Sequence, residues 1–184
     1  MIRVYTKTRH ISKIDNFLNL LNLKHEIYTI NDIPLDTPFD LGVSYCYSRK
    51  ISNELLDIPK IGFVNYHPGP LPEYKGPNEY EDAIKNQETH WGVTVHHMTE
   101  EYDVGKIIRI LRFDLHEPPK SVEELGAVSH YFLFKLFKKT IEDINLKKIS
   151  YMILNVRIYE NFLILAYSYI DKDVQDNKNV KNPA

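Results

Sequence analysis

Asn65 and His67 stand two residues apart at the end of an apolar stretch, Lys60 to Tyr66, that runs into His67-Pro68-Gly69-Pro70-Leu71-Pro72. Each proline lacks an N–H, so a strand must stop in that run. Side chains along a strand repeat every second residue, which sends the amide and the imidazole to the same side. An amide donor beside an imidazole suits acyl-type chemistry, in which the amide holds a developing oxyanion while the imidazole donates a hydrogen bond or moves a proton. A third group must set the state of that histidine. Asp103, in Glu101-Tyr102-Asp103-Val104-Gly105-Lys106, is the candidate. A carboxylate there would raise the pKa of the imidazole by charge attraction and accept a proton through water.

The elements around these residues must bring them to one place. Met1 to Thr6 reads as a strand, and Ile14, Phe17, Leu18 and Leu21 mark one face of a helix over Ser12 to Leu23, with Ser12 as its N-cap. Strands follow at Glu26 to Ile30 and Asp40 to Tyr45, with a proline-rich connection (Pro34, Pro38) between them. A short helix over Ser52 to Leu56 precedes the strand that carries Asn65. Pro77 to Lys85 reads as a helix, Trp91 to Met98 as a strand, and Lys106 to Phe113 as its antiparallel partner. Ser121 and Glu124 form a capping box for a long helix that buries Leu125, Val128, Phe132, Leu136 and Ile144. Strands alternating with helices over short links predict an open, mostly parallel, twisted α/β sheet flanked by helices. Ligands in such a sheet bind outside the carboxyl ends of the strands, where His67 falls.

Composition narrows the function classes. The 184 residues, 43% of them hydrophobic, suffice for one domain, placed at 1–150, with a small appendage. The appendage, Tyr151 to Ile170, reads as edge strands or a subunit contact that would make a homodimer. Its centre holds Arg157 and Glu160, which argues against a membrane span. Residues 171–184 read as a solvated tail. A net charge of -2 with dispersed Lys and Arg lacks the footprint of nucleic-acid binding. The single cysteine, Cys46, excludes an internal disulfide and a thiolate cluster, and with no secretion-type N-terminus it points to the cytoplasm. His96 and His97 are neighbours on a strand and face opposite ways, so no metal is expected there.

Asn65-Tyr66-His67-Pro68-Gly69-Pro70-Leu71-Pro72-Glu73-Tyr74-Lys75-Gly76 resembles the Asn-x-His-Pro-x-x-Leu-Pro-x-x-x-Gly signature of the formyltetrahydrofolate-dependent formyltransferases. Gly92-Val93-Thr94-Val95-His96, followed by Asp103-Val104-Gly105-Lys106-Ile107-Ile108, is similar to that family's second block. The resemblance extends from about Asp40 to Phe113 and implies a Rossmann-like formyltransferase fold. It also implies that an amine attacks the formyl carbon of 10-formyltetrahydrofolate, the co-substrate, with no metal. Asn65 would then hold the oxyanion, His67 would be the acid/base, and Asp103 would accept the amine proton or fix His67. His96 would contact the acceptor or the Asp103 loop. The pterin would lie between the segments matching Ser44 to Arg49 and Glu101 to Gly105, so the expected donor contacts are Tyr47, Ser48, Tyr102, Asp103, Val104 and Gly105.

Within this family the acceptor distinguishes the members. The glycinamide ribonucleotide enzymes carry a glycine-rich phosphate loop after the first strand, and here that place reads Lys7-Thr8-Arg9-His10-Ile11. The methionyl-tRNA enzymes add a C-terminal tRNA-binding domain, for which this sequence shows no room and no basic face. Ser44-Tyr45-Cys46-Tyr47 and Pro77-Asn78-Glu79-Tyr80 look more like the sugar N-formyltransferases, whose acceptors are nucleotide-linked amino-dideoxy sugars for surface polysaccharides such as lipopolysaccharide. Lys7, Arg9 and Lys75 would meet the diphosphate, and His96, Asn78 and Tyr80 would contact the base or sugar. The alternatives are a glycinamide ribonucleotide formyltransferase, or a non-catalytic remnant that binds folate or a nucleotide without turnover.

Overall fold

The computed structural model describes residues 1–32 and 37–145. The chain divides into two compact units, Met1–Glu142 and Asp143–Ala184. The expected appendage at 151–170, the tail at 171–184 and Pro34 lie outside the described residues.

Six strands form one sheet: β1 (Ile2–Thr6), β2 (His25–Tyr28), β3 (Leu41–Tyr45), β4 (Gly62–His67), β5 (His90–His97) and β6 (Ile107–Asp114), in the order β2-β1-β3-β4-β5-β6. The β2-β1-β3-β4 portion is parallel, while β4-β5 and β5-β6 are antiparallel. The sheet is thus mixed, with its parallel part carrying the α/β architecture that the sequence predicts. Every residue of β1 and β3 is buried, as expected of parallel strands covered on both faces.

The helices are α1 (Ile11–Leu20), α2 (Asn53–Leu56), α3 (Glu79–Lys85) and α4 (Val122–Asn145). Ile14, Phe17 and Leu18 are the buried stripe of α1, but Ser12 lies inside this helix and not at its cap. A 3-10 turn over Thr8–His10 feeds directly into α1, so the helix starts a residue early and His10 takes the cap position without a side-chain bond. Ser52 caps α2 by accepting from Leu55 N–H at 3.3 Å.

At α4, Ser121 Oγ accepts from Glu124 N–H at 3.1 Å, and the Glu124 carboxylate accepts from Lys120 N–H at 2.8 Å. Half of the expected capping box forms. Its other half slips by one residue. The buried face also differs from expectation. Leu125, Leu133, Leu136, Phe137 and Ile141 are buried, whereas Val128, Phe132 and Ile144 are half-buried. Phe137 packs on Tyr45 and Tyr66, with ring centroids 5.6 and 5.3 Å away, which turns its side of the helix inward. A fully buried ring of this size contributes about 2–3 kcal/mol. Elsewhere in the core Tyr5, Phe39, Ile51 and Phe63 pack together. A Cβ at Gly42 would stand 2.4 Å from the Phe63 ring, so the glycine is what lets that ring lie across β3.

Candidate active site

Strand register assembles the centre. Asn65 and His67 alternate onto one face of β4, and the antiparallel partner β5 sets His96 opposite Asn65 and Thr94 opposite His67. On the other side of β5 the register against β6 shifts between Val95 and His96, with Ile108 of β6 as the extra residue. Asp103 enters from the β5-β6 loop with φ +56°, a left-handed conformation that aspartate tolerates better than most residues.

The four polar side chains meet at the floor of a cavity of about 570 Å³. His67 Nδ1 is 3.5 Å from Asp103 Oδ2, and His96 Nε2 is 3.4 Å from Asp103 Oδ1. Asn65 Nδ2 donates toward Asp103 Oδ1 at 3.4 Å and lies 3.2 Å from His96 Nε2. Gly76 N–H donates to Asp103 Oδ2 at 3.0 Å, which ties the carboxylate to the end of the proline-rich loop.

Backbone contacts set the tautomers. His67 Nε2 donates to the Tyr74 carbonyl at 2.6 Å, so its exchangeable position is Nδ1, which faces Asp103. Gly69 leaves room for that contact, because a Cβ there would crowd it, at 3.0 Å from His67 Nε2 and 3.1 Å from the Tyr74 oxygen. His96 Nδ1 donates to the His97 carbonyl at 2.8 Å, and its Nε2 stands between the Asn65 amide and Asp103 Oδ1.

Two residues that sequence reasoning passed over hold this loop. Thr94 Oγ1 donates to the Gly69 carbonyl at 2.8 Å and accepts from Leu71 N–H at 3.0 Å. Trp91 Nε1 lies 3.1 Å from the Pro68 carbonyl and 2.9 Å from Ser129 Oγ. A threonine among the apolar neighbours Trp91, Val93 and Val95 was the signal for the first, since a buried hydroxyl needs partners.

Charge in the centre departs from one expectation. Burial lowers the His67 pKa, and it outweighs the Asp103 charge and the Tyr74 bond, which both raise it. The imidazole is therefore neutral near pH 7, despite the carboxylate beside it. Burial raises Asp103, but the His96 bond, the facing His67 ring and the Gly76 N–H together bring its carboxyl below the usual range. Asp103 is an anion. Glu79, another residue passed over, lines the same cavity, and its pKa is raised by burial and by the Asp103 charge, with its own backbone N–H opposing.

Of the residues expected to hold the formyl donor, Tyr47, Ser48, Tyr102 and Asp103 line the cavity. Val104 and Gly105 do not. The left-handed turn at Asp103 sends Val104 out to 49% exposure, and Gly105 packs against the His97 carbonyl, which a Cβ would approach to 1.8 Å. On the acceptor side, Lys7, Arg9, His96 and Tyr80 line the cavity, whereas Asn78 is exposed outside it and Lys75 lines a separate groove. Lys75 and Asn78 flank the Gly76-Pro77 turn, of which Gly76 and Pro77 line the cavity.

The structure thus joins a mixed six-stranded sheet to a cluster of Asn65 and His67 from the end of β4, His96 from β5 and Asp103 from the β5-β6 loop. A family model described as formyl transferase matches residues 36–132, and the chain belongs to that family. It is similar to the methionyl-tRNA formyltransferase of Borrelia duttonii (strain Ly), at 33% identity over 106 residues, 58% of this chain and 33% of that protein. The chain thus spans about a third of the length of that relative. Among solved structures, the N-formyltransferase from Helicobacter canadensis, in complex with folinic acid and dTDP-3-aminofucose, matches with a TM-score of 0.68 at 20% identity, over 80% of this chain and 64% of that one. The phosphoribosylglycinamide formyltransferase from Streptococcus pneumoniae TIGR4 matches with a TM-score of 0.60 at 17% identity, over 78% and 97% of the two chains. Among the described residues no helix is long and apolar enough to cross a membrane.

Proposed function

We propose that this chain transfers a formyl group from 10-formyltetrahydrofolate to the amine of a nucleotide-linked amino sugar. The observation that carries the reading is the single carboxylate of Asp103, within 3.5 Å of His67, His96 and the Asn65 amide at the cavity floor. The amine nitrogen bonds to the formyl carbon, and the carbonyl oxygen becomes an oxyanion held by an Asn65 N–H. A proton leaves the amine for Asp103 or His67 Nδ1 and passes to the departing nitrogen of tetrahydrofolate as its bond to the formyl carbon breaks. His67 is suited to this relay because the Tyr74 carbonyl holds its Nε2 proton in place, so that only Nδ1 exchanges.

Tyr47, Ser48 and Tyr102 are the proposed donor contacts. Lys7 and Arg9, at the mouth of the same cavity, would meet the diphosphate of the acceptor. Support for the amino-sugar class comes from the Helicobacter canadensis neighbour with its dTDP-3-aminofucose, and from the absence of glycine between Lys7 and Ile11. A second reading, transfer to methionyl-tRNA, is favoured by the Borrelia duttonii relative.

The test is a tetrahydrofolate-release assay with formyltetrahydrofolate and three acceptors: dTDP-3-aminofucose, glycinamide ribonucleotide and methionyl-tRNA. Release with the amino sugar that disappears in Asn65→Ala and His67→Ala supports the proposal. Preference for either other acceptor replaces the substrate, and folate binding without release for any acceptor indicates a non-catalytic remnant.

A further inference from the structure

Beside the cavity, and partly lining it, lies a second cluster of ligating side chains that the proposed formyl transfer does not use. His10 closes the 3-10 turn after β1, Cys46 follows β3 and His130 comes from α4. One donor atom from each lies within 4.8 Å of the other two. Cys46 Sγ is 3.6 Å from His130 Nδ1. Arg9 bridges the two rings, with its Nε donating to His10 Nε2 and its Nη2 reaching His130 Nε2, each at 3.2 Å. A guanidinium only donates, so each Nε2 offers it a lone pair. Burial, reinforced by neighbouring cations, pushes the His10 pKa down to about 3 and that of His130 to about 4. Both rings are therefore neutral near pH 7, the form that binds metal ions.

Lys13 and Lys7 make the surroundings cationic, which by itself opposes a metal. The place nevertheless already holds a cation, the Arg9 guanidinium, whose residue is exposed and has solvent to move into. A divalent ion brings two positive charges. Departure of the guanidinium and release of the Cys46 proton to solvent take two away, so the local net charge is unchanged. Burial holds the thiol up at about 12 against the nearby cations, and a bound metal ion is what deprotonates such a group outright. The Glu79 charge also acts on Cys46, and Glu79 Oε2 is buried without a hydrogen-bond partner, adding a negative group on this side of the cavity.

We propose that His10, Cys46 and His130 form a binding site for a zinc-type divalent ion, in competition with the Arg9 guanidinium and with a fourth position open to the cavity. Two imidazoles and a thiolate are borderline-soft ligands that select zinc or cobalt over magnesium or calcium. Cys46 and His130 both line the cavity, which places the open position there. Ligands around a tetrahedral zinc stand roughly 3.5 Å apart, so the donors need to draw together by about an ångström.

The experiment is a cobalt(II) titration of the tag-free protein after treatment with a chelator. Because Cys46 is the single cysteine of the chain, a thiolate-to-cobalt charge-transfer band in the near ultraviolet reports this sulfur in the unmodified protein. The expected result is a band that saturates at one equivalent, is removed by zinc, and is absent in Cys46→Ser. His130→Ala should weaken binding at least about tenfold. Arg9→Ala, an exposed substitution, should tighten it by removing the competitor. No band at millimolar cobalt overturns the proposal, as does wild-type affinity in His130→Ala. Weaker binding in Arg9→Ala overturns the competition with the guanidinium.

Discussion

In and beside the cavity two pairs of histidines stand in opposite electrostatic settings. His67 and His96 share the Asp103 carboxylate, and His10 and His130 share the Arg9 guanidinium. Both His67 and His10 are buried, to 5% exposure each, so removal from water disfavours the imidazolium in both. What separates them is the partner. Beside the anion, the lowering of His67 is partly reversed, whereas among cations His10 drops to about 3. A histidine meant to move protons needs a nearby negative charge to keep its pKa within reach of neutral pH. One held among cations stays neutral and serves as an acceptor or a ligand.

Removing that negative charge is the strongest way to break the contrast. Asp103→Ala should lower kcat/KM by about a thousandfold or more, since it takes away both the proton acceptor and the partner of His67. The His67 ring should then titrate lower still, as NMR of its ring protons would read. A His67 titration that stays put would separate the ring from the carboxylate and undo the comparison.

Moving the carboxylate is the next largest change. In Gly105→Ala the new Cβ would lie 1.8 Å from the His97 carbonyl oxygen, so the Asp103 loop must shift. We expect destabilisation of about 1–3 kcal/mol by chemical denaturation, with a drop in turnover beyond what the loss of folded protein explains. Wild-type stability and turnover together would show that the loop position is not critical.

Acid should expose the cationic pair. His10 and His130 have folded pKa values of about 3 and about 4, below the ordinary 6.5, so between those limits the unfolded chain binds more protons than the folded one. Their contribution to stability is full above about pH 6.5 and is lost as pH falls toward 4. The melting temperature should decline over that window, before the carboxylates titrate. A flat profile down to pH 4.5 would contradict the neutral state of these rings.

The smallest expected effect is that of Arg9→Ala on its neighbours. Burial is the first cause of both lowered values and remains, so the rings should titrate only somewhat higher. The fold should be unaffected, because the side chain is exposed. NMR titration of the two rings measures the change, and an unchanged His130 would mean that its contact with Arg9 carries little charge interaction.

Much of the fold was legible from local pattern, because strands and amphipathic helices announce themselves by period. β1, β3, β4, β5, β6 and α3 stand within a few residues of where the sequence puts them. The face of α4 was not legible, since Val128 and Leu133 are equally apolar in sequence and only the rings of Tyr45 and Tyr66 decide which side turns inward. Asn65, His67 and Asp103 were readable from spacing and motif. Glu79, His130 and Cys46 were not, because nothing local distinguishes a charged or sulfur-bearing side chain in a cavity from one on a solvated face.

By itself the sequence determined the period-two pairing of Asn65 with His67, the stop imposed by the proline run, and the family to which these motifs belong. Those are short-range properties, dictated by backbone sterics and side-chain alternation. Tertiary structure alone decided that β5 runs antiparallel to set His96 against Asn65, and that Asp103, 38 positions from Asn65 along the chain, reaches its amide. It also decided the charge on His67, where burial outweighs the carboxylate. Desolvation depends on everything packed around a group, and no stretch of neighbouring residues encodes it.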